Sequence, residues 1–586
     1  MRIKRESKRK IDLQKLYPAL TNNRDGPIYG YINRKGKFIL KPKYQNANDF
    51  NKFNIAIVQE NNLTGAINPK GEYVIKPIYD NINSFKEGRA TYILNGNMGV
   101  MDEKGNIMTN KPYNYVGDYK ESRAMIGILN STNSYTYGYI DRFGNEIIPP
   151  KFSQANDFID GVVLVKIKDK KYALIDLYGN IINTYNYEIV SQYGNGLMVF
   201  SKSYGDKSGY INIKGQVVIK PIYSFAGGFK DGFAVVSTED GYNGPYGVID
   251  QNGNYIFQPI YSKIYYLGES RFALGMPIGE DKFTSPSIYA IGDTTGKQLS
   301  DFNYLAVGNY NKELAYGSDN EYTFFINKNG KIDNSLPIEK GSGELGLKDN
   351  IVYANIDFYP YYLSKSGKII YKPNDTILLS KKYSVTKVKY SPNIDYLIYN
   401  PAVNGVSNKK VEKNINKKLI EISYFEPLFE ENLKSPYIVS PDDVLNYNYF
   451  GDFSVQFFKN NLLTLDIFGY YYPLGAAHGM PVKKTPSIDL VTGKFYTLGD
   501  LFMGGVYWVG ELNKIIKNMI ETDPQYEYIF KDSFKSIKED QPFYLDDENL
   551  YIYFPPYEIG PYAAGFVTFK IPFNQIEGMM NKGIYS

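Results

Sequence analysis

The sequence predicts a mainly β protein: an N-terminal array of about ten β-hairpin repeats, followed by an α+β C-terminal domain. Three observations predict it. A short glycine-bounded pattern returns ten times between residues 30 and 367, at about 36-residue spacing. The composition holds 58 Tyr, 34 Phe, 53 Gly and 30 Pro, which are residues of strands and tight turns. After about residue 380 the period stops, and apolar residues fall at helical spacing. At 586 residues the chain is too long for one compact core, so the two patterns read as separate domains.

Residues 1–24 come first. MRIKRESKRK holds six basic residues and one acid, a net of +5, whereas the whole chain has +4. The rest is therefore close to neutral (4 − 5 = −1), which argues against a nucleic-acid binder with its broad basic face. The segment is expected to be a basic, disordered tail. No signal-peptide core follows, because IDLQKLYPAL is broken by Asp12, Gln14, Lys15 and Pro18. No run of about 18 apolar residues predicts a transmembrane helix. Read from residues alone, the expectation is a cytoplasmic chain, or one that leaves by a route the sequence does not show; the localisation stays unknown.

Residues 25–375 hold the array. Its clearest copies are GYINRKG (30–36), GAINPKG (65–71), GVMDEKG (99–105), GYIDRFG (138–144), ALIDLYG (173–179), GYINIKG (209–215) and GVIDQNG (247–253). Weaker copies are AIGDTTG (290–296), FFINKNG (324–330) and YYLSKSG (361–367). Asn/Asp-x-x-Gly reads as a hairpin turn: the short polar side chain bonds the backbone two residues on, and glycine supplies φ > 0. Apolar residues on either side form the two strands. Proline then ends the pairing at Pro42-Lys43-Tyr44, Pro77-Ile78-Tyr79, Pro221-Ile222-Tyr223 and Pro259-Ile260-Tyr261. A segment such as Phe229-Lys230-Asp231-Gly232-Phe233-Ala234 adds another turn and strand.

On these features the array resembles the WG (KWG) repeat family of bacterial proteins. The glycines, the Asp/Asn, the Pro-x-Tyr and the Phe-x-x-Gly-x-Ala are present. The family's tryptophan is replaced by Tyr29, Thr64, Met98, Tyr137, Tyr172, Ser208 and Tyr246. The resemblance implies a β-repeat array used for binding, with no assigned chemistry. An open superhelix or solenoid is the expected architecture, because ten units exceed the usual four to eight propeller blades; a closed propeller is the alternative. Tyr44, Tyr79, Tyr223 and Tyr261 recur at one phase. They are candidates for an aromatic binding row, or else they pack between units.

Residues 385–586 form the second domain. Val411, Ile415, Leu419 and Ile422 predict a helix over 408–423; Leu512, Ile515, Ile516, Met519 and Ile520 predict another near 506–521. Residues 452–458, 462–468, 550–554 and 565–571 read as strands. Asn400-Pro-Ala-Val-Asn-Gly-Val406, Gly475-Ala-Ala-His-Gly479, Leu498-Gly-Asp-Leu-Phe502 and Tyr557-Glu-Ile-Gly-Pro-Tyr-Ala-Ala-Gly565 follow in order. In that order they resemble the extracellular domain of unknown function of lysozyme-sensing anti-sigma factors, also found beside peptidoglycan deacetylase domains. The resemblance implies a cell-envelope binding module, with lysozyme as the partner class of one branch. It places localisation at the cell envelope. With no catalytic motif found, the expected function is non-enzymatic recognition of a protein or a cell-wall glycan. An intracellular repeat scaffold binding a protein partner is the alternative function, and a hydrolase with an unmarked carboxylate pair is a third reading. The chain is expected to be a monomer.

Chemistry is thinly marked. There is no cysteine and a single histidine, His478, which excludes thiolate sites and multi-histidine metal centres within one chain. No cofactor and no metal is expected, and no catalytic residue is assigned. His478 could need an orienting carboxylate such as Asp489 or Glu558, but no motif points at one. Gly341–Gly346 matches G-x-G-x-x-G, yet a strand pattern follows it where a dinucleotide site needs a helix. The binding candidates of this domain are His478, Tyr557, Glu558 and Tyr562, all within the GAAHG and YEIGPYAAG segments.

Overall fold

In a computed structural model of the chain, the described residues are 15–239, 244–279, 285–424, 445 and 447–585. They divide into two units: Met1–Thr21 with Ile28–Lys372, and Asn22–Pro27 with Pro373–Ser586. The first unit holds the repeats, and the described part of its chain begins earlier than expected. Tyr17–Asn23, assigned above to the tail, is a strand paired with Gly26–Ile32. It is held because Tyr17 and Ala19 are buried. Residues 1–14 of the predicted tail lie outside the described residues.

Each repeat contributes to one of ten consecutive antiparallel sheets of three or four strands, between Tyr17 and Tyr371. The turn chemistry is as the sequence predicts. Asn33 Oδ1 accepts from the Lys35 amide at 2.9 Å and the Lys37 amide at 3.1 Å. Asp102 does the same toward Lys104 and Asn106, at 2.9 and 2.8 Å. Gly71 closes its turn at φ +83°.

Proline behaves differently from the expectation. Strands such as Phe38–Tyr44 and Val217–Tyr223 run through Pro42 and Pro221 rather than stopping there. Both are the last strand of their sheets, where a missing N–H costs no ladder bond. The register shifts opposite the proline, at Gly30 and Gly209. A Cβ on Gly30 would lie 2.5 Å from Leu40 O and 2.7 Å from Pro42 N. Glycine ahead of the Tyr-Ile strand is therefore required by close backbone approach to the proline strand.

The tyrosines fill the spaces between sheets. Tyr31, Tyr139 and Tyr210 are at most 1% exposed, and their hydroxyls donate to the carbonyls of Asn48, Asn156 and Gly227 at 2.7–2.9 Å. The acceptor lies seventeen residues on in each case. Tyrosine brings aromatic bulk into the core with its hydroxyl satisfied. Tyr44, Tyr79, Tyr223 and Tyr261 are buried in the same way, at 1%, 8%, 1% and 7% exposure. They do not form a binding row; they are packing residues of the inter-sheet cores.

Polar clasps also cross from repeat to repeat. The Glu121 carboxylate accepts from the Asp160 and Gly161 amides, and Glu269 accepts from those of Lys312 and Glu313. Arg89, Arg123 and Arg271 donate through Nε to the carbonyls of Arg142, Leu177 and Lys328.

The array is closed. Tyr17, Ala19 and Ile32 of the first sheet share one buried cluster with Ile351 and Tyr362 of the last. Tyr362 Oη donates to Pro18 O at 2.8 Å, and Tyr371 Oη to Leu20 O at 2.7 Å. Phe38 and Tyr371 meet edge to face at 5.3 Å. The propeller-type alternative therefore replaces the open superhelix. Closure covers the two terminal sheet faces that an open array would leave to solvent.

The second unit has two cores. A long sheet runs through Thr376–Leu378, Ser384–Asn393, Tyr396–Asn404, Tyr447–Lys459, Leu462–Pro473, Ser487–Asp489 and Phe495–Tyr496. One of its strands, Thr376–Leu378, precedes residue 385 and the next begins at Ser384, so the sheet begins earlier than the predicted boundary. Helix α1 (Lys409–Ser423) is capped by Asn408 and buries Ile415 and Leu419 on that sheet. Asn416 fixes it sideways through paired hydrogen bonds with the Val403 backbone, at 2.7 and 2.9 Å. Helix α2 (Trp508–Thr522) buries Leu512 and Ile516 in the second core, which includes the sheet Phe543–Leu545, Asn549–Phe554 and Val567–Pro572.

Two predictions follow from the turns. Gly71→Val is expected to destabilise the protein by about 1–3 kcal/mol in urea unfolding, because a β-branched residue is forced to positive φ; an unchanged midpoint would contradict the turn. The second concerns acid. Burial pushes the Asp102, Asp141 and Asp250 carboxyls up, but hydrogen bonds from Asn106, Asn145 and Asn254 outweigh it and hold all three below the ordinary 3.8. A depressed carboxyl contributes stability above its unfolded value and loses it as pH falls through its folded value. Asn33, Asn68 and Asn212 accept the same bonds elsewhere in the array. Changing all three aspartates to asparagine should keep the turns and shrink the stability lost between pH 7 and pH 3. An equal loss in the parent and the variant would refute it.

Candidate functional site

Two loops of the second unit build the site. The first leaves the strand Leu462–Pro473 and returns as Met480–Lys484, so that Tyr471 pairs with Met480. Gly475 sits at φ +84°, and the Ala476 amide bonds Pro473 O at 3.1 Å. Gly479 lies under Tyr470: a Cβ there would be 2.4 Å from Tyr471 O and 2.6 Å from the Tyr470 ring. GAAHG is thus a tight return that holds His478 out, and the imidazole is exposed. The second loop leaves the strand Asn549–Phe554 through Pro555-Pro556 and holds Tyr557 at φ +69°, half exposed. A one-turn helix, Tyr562–Ala564, ends it.

The loops meet at His478. The Tyr562 ring stacks on the imidazole at 4.0 Å and 25°. The Tyr557 ring lies 6.5 Å from it at 30°, and 5.7 Å from Tyr562. Tyr562 Oη donates to Gly479 O at 2.8 Å. His478 Nδ1 lies 3.1 Å from the same carbonyl, and Nε2 lies 3.3 Å from Tyr557 Oη. A carbonyl only accepts, so this network assigns the proton to Nδ1 and leaves Nε2 to accept from Tyr557. Burial, then Tyr470, raises the Tyr562 phenol above its ordinary value, so it stays a donor near neutrality.

The structure therefore brings three of the four predicted residues together: His478, Tyr557 and Tyr562. Glu558 goes elsewhere. Its carboxylate pairs with Lys538 at 2.9 Å and raises that ammonium above its ordinary value. Asp489 serves a turn, accepting from the Val491 and Thr492 amides. Among the described residues, no group of three His, Asp or Glu side chains is placed to hold a metal ion.

One residue was missed. Tyr470 accepts from the Gly479 amide at 2.9 Å and is 40% exposed, beside Phe468 on the same face of its strand. The run Gly469-Tyr-Tyr-Tyr-Pro473 immediately before GAAHG was the available signal. The result is an exposed aromatic face with polar tips, built on a rigid hairpin. Such a face can stack and donate hydrogen bonds, and among the described residues the imidazole nitrogens meet a carbonyl and a phenol rather than a carboxylate.

Comparison with known proteins agrees with both halves of the chain. The model of the WG containing repeat matches residues 29–63, 65–97, 137–172, 209–242 and 246–273. The model of a protein of unknown function, DUF3298, matches residues 499–574. The chain carries WG repeats and a C-terminal DUF3298 domain. Anti-sigma-V factor RsiV of Bacillus subtilis is 27% identical over 188 residues, which is 31% of this chain and 63% of that protein. Among solved structures, a DUF3298 family member from Bacteroides fragilis is 20% identical, covering 34% of this chain and 93% of its own, with a TM-score of 0.26. One from Pseudomonas aeruginosa is 16% identical, covering 35% and 95%, with a TM-score of 0.27. No helix among the described residues is long and apolar enough to cross a membrane.

The geometry makes the aromatic stack structural as well as exposed. Tyr562→Phe, which deletes the bond to Gly479, is expected to lower stability by about 0.5–1.5 kcal/mol, and His478→Ala by a similar amount through the lost stack. Urea midpoints unchanged in both variants would show that the two loops do not hold each other.

Proposed function

We propose that this chain is a non-enzymatic recognition protein of the bacterial cell envelope, whose C-terminal domain engages a protein or a cell-wall glycan through the face of His478, Tyr557, Tyr562 and Tyr470. The observation that carries the reading is the convergence of GAAHG and YEIGPYAAG on one exposed aromatic cluster. Tyrosines of this kind present a large apolar face with a polar tip and few rotatable bonds, the make-up of binding hot spots. Tyr557 is held half exposed at positive φ, a strained placement of the sort that clusters at ligand contacts. A binding role is favoured over a catalytic one because the imidazole nitrogens face a carbonyl and a phenol. Similarity to an anti-sigma factor supports the envelope setting, and a lysozyme-like enzyme is the first partner class to try.

The test is retention of the full chain on insoluble peptidoglycan, with and without added lysozyme, at two salt concentrations. The parent should be retained in a salt-resistant way, and Tyr557→Ala should weaken retention about tenfold. Absence of retention by either ligand, or full retention of Tyr557→Ala, would overturn the assignment.

A further inference from the structure

The closing seam of the repeat ring contains a cavity of about 530 Å³ that the packing does not fill. It lies where the first sheet meets the last, and the segment after Tyr44 forms one wall. Its volume falls in the range of about 300–1,000 Å³ usual for small-molecule sites. What lines it is unlike the inter-sheet cores. Tyr29 and Tyr353 contribute aromatic walls, and Asn46, Asn48 and Ser84 contribute small polar groups. Among the described residues, the hydroxyls of Tyr29 and Tyr353 and the side-chain amide of Asn48 have no hydrogen-bond partner. By contrast, the Tyr362 and Tyr371 hydroxyls at the same seam are committed to Pro18 O and Leu20 O. Burial pushes the Tyr29 and Tyr353 phenols up, and the Asp49 charge adds to the effect at Tyr353, so both remain donors at neutral pH.

The charge at the cavity is balanced. Asp49 and Lys348 pair with each other across the seam, and the Lys348 ammonium also lies 4.5 Å from the centre of the Tyr353 ring. With one acid neutralising one base, the site has no excess charge to attract a phosphate or a cation. It offers aromatic faces, free hydroxyl and amide groups acting as both donor and acceptor, and a neutral ion pair with oxygens and N–H groups at its edge. That combination fits a ligand that is uncharged, dense in hydroxyl groups and flat on one face.

We propose that this seam cavity is a binding site for a neutral oligosaccharide, with Tyr29 and Tyr353 stacking on sugar rings and donating to them, and Asn46, Asn48 and Ser84 reading ring hydroxyls. The site belongs to the first unit and the His478 face to the second, and the proposal does not rest on the function proposed for that face.

The experiment uses the full chain and three neutral probes: triacetylchitotriose, cellotriose and maltotriose. Saturation-transfer NMR detects contact, and calorimetry gives affinity. At least one probe should bind. The double variant Tyr29→Phe/Tyr353→Phe, which keeps both rings and removes both hydroxyls, should weaken it tenfold or more with an unchanged melting temperature. Asn48→Ala, whose side chain is exposed and makes no internal bond, should weaken it as well and decides the matter if the double variant folds poorly. Tyr115→Phe, on an exposed ring elsewhere in the array, should leave affinity unchanged. The proposal is overturned if none of the probes binds at millimolar concentration, or if affinity is the same in the parent, the double variant and Asn48→Ala. Displacement of every bound probe by acidic sugars or peptides at lower concentration would also overturn it, by showing that the cavity serves a different chemistry.

Discussion

A three- or four-stranded sheet of short strands has two faces and cannot cover either one alone. Everything in the first unit answers that constraint. Each sheet lays its apolar residues on the next, as when Tyr210 and Tyr223 of one sheet pack with Ala234 and Val236 of the following one. The remaining problem is the pair of faces at the ends. The chain solves it by bringing Tyr17 and Ala19 against Ile351 and Tyr362. Closure therefore comes from the same burial that joins every neighbouring pair, and the Tyr362 and Tyr371 hydroxyls and the Asp49–Lys348 ion pair add polar contacts across the seam.

The second unit meets a different demand. Its sheets are covered by α1 and α2, which leaves loops free to present side chains. Tyr557 lies 79 residues beyond His478 in sequence and Tyr562 further still, yet both reach it. They can do so because each of the two loops leaves a strand of a rigid sheet and has few conformations left: Gly475 turns one, and Pro555-Pro556 stiffens the other. The recognition proposed for such a platform would ask nothing of the imidazole beyond its shape and its hydrogen bonds.

Much of this was legible in the sequence. The hairpin turns followed from Asn/Asp-x-x-Gly, since local hydrogen bonding fixes them. Helices α1 and α2 followed from the spacing of Ile415 with Leu419 and of Leu512 with Ile516. Three features were not legible. Pro42 reads as a stop, because nothing local reveals that its strand lies at a sheet edge opposite a bulge. The phase of Tyr44 and Tyr223 gives their common environment but not its sign, interior or surface. Closure depends on the small angle between successive sheets, summed ten times, and no residue carries that angle. At the candidate site, the participation of Tyr562 was readable from its motif. That Glu558 turns to Lys538 was not, because neighbours in sequence on a loop can face opposite ways.

The shared boundary of the first and last sheets changes what the repeat number means. An open array can lengthen or shorten by whole units, since each end stays an end and the interior junctions are untouched. Here the polypeptide returns to its own beginning, so the tally of units is part of the geometry. Losing one would require every surviving junction to open by a little more, including those held by Glu121 and Glu269. Change that preserves the ring is therefore change at loop tips and exposed side chains, which leaves the number of units as it is.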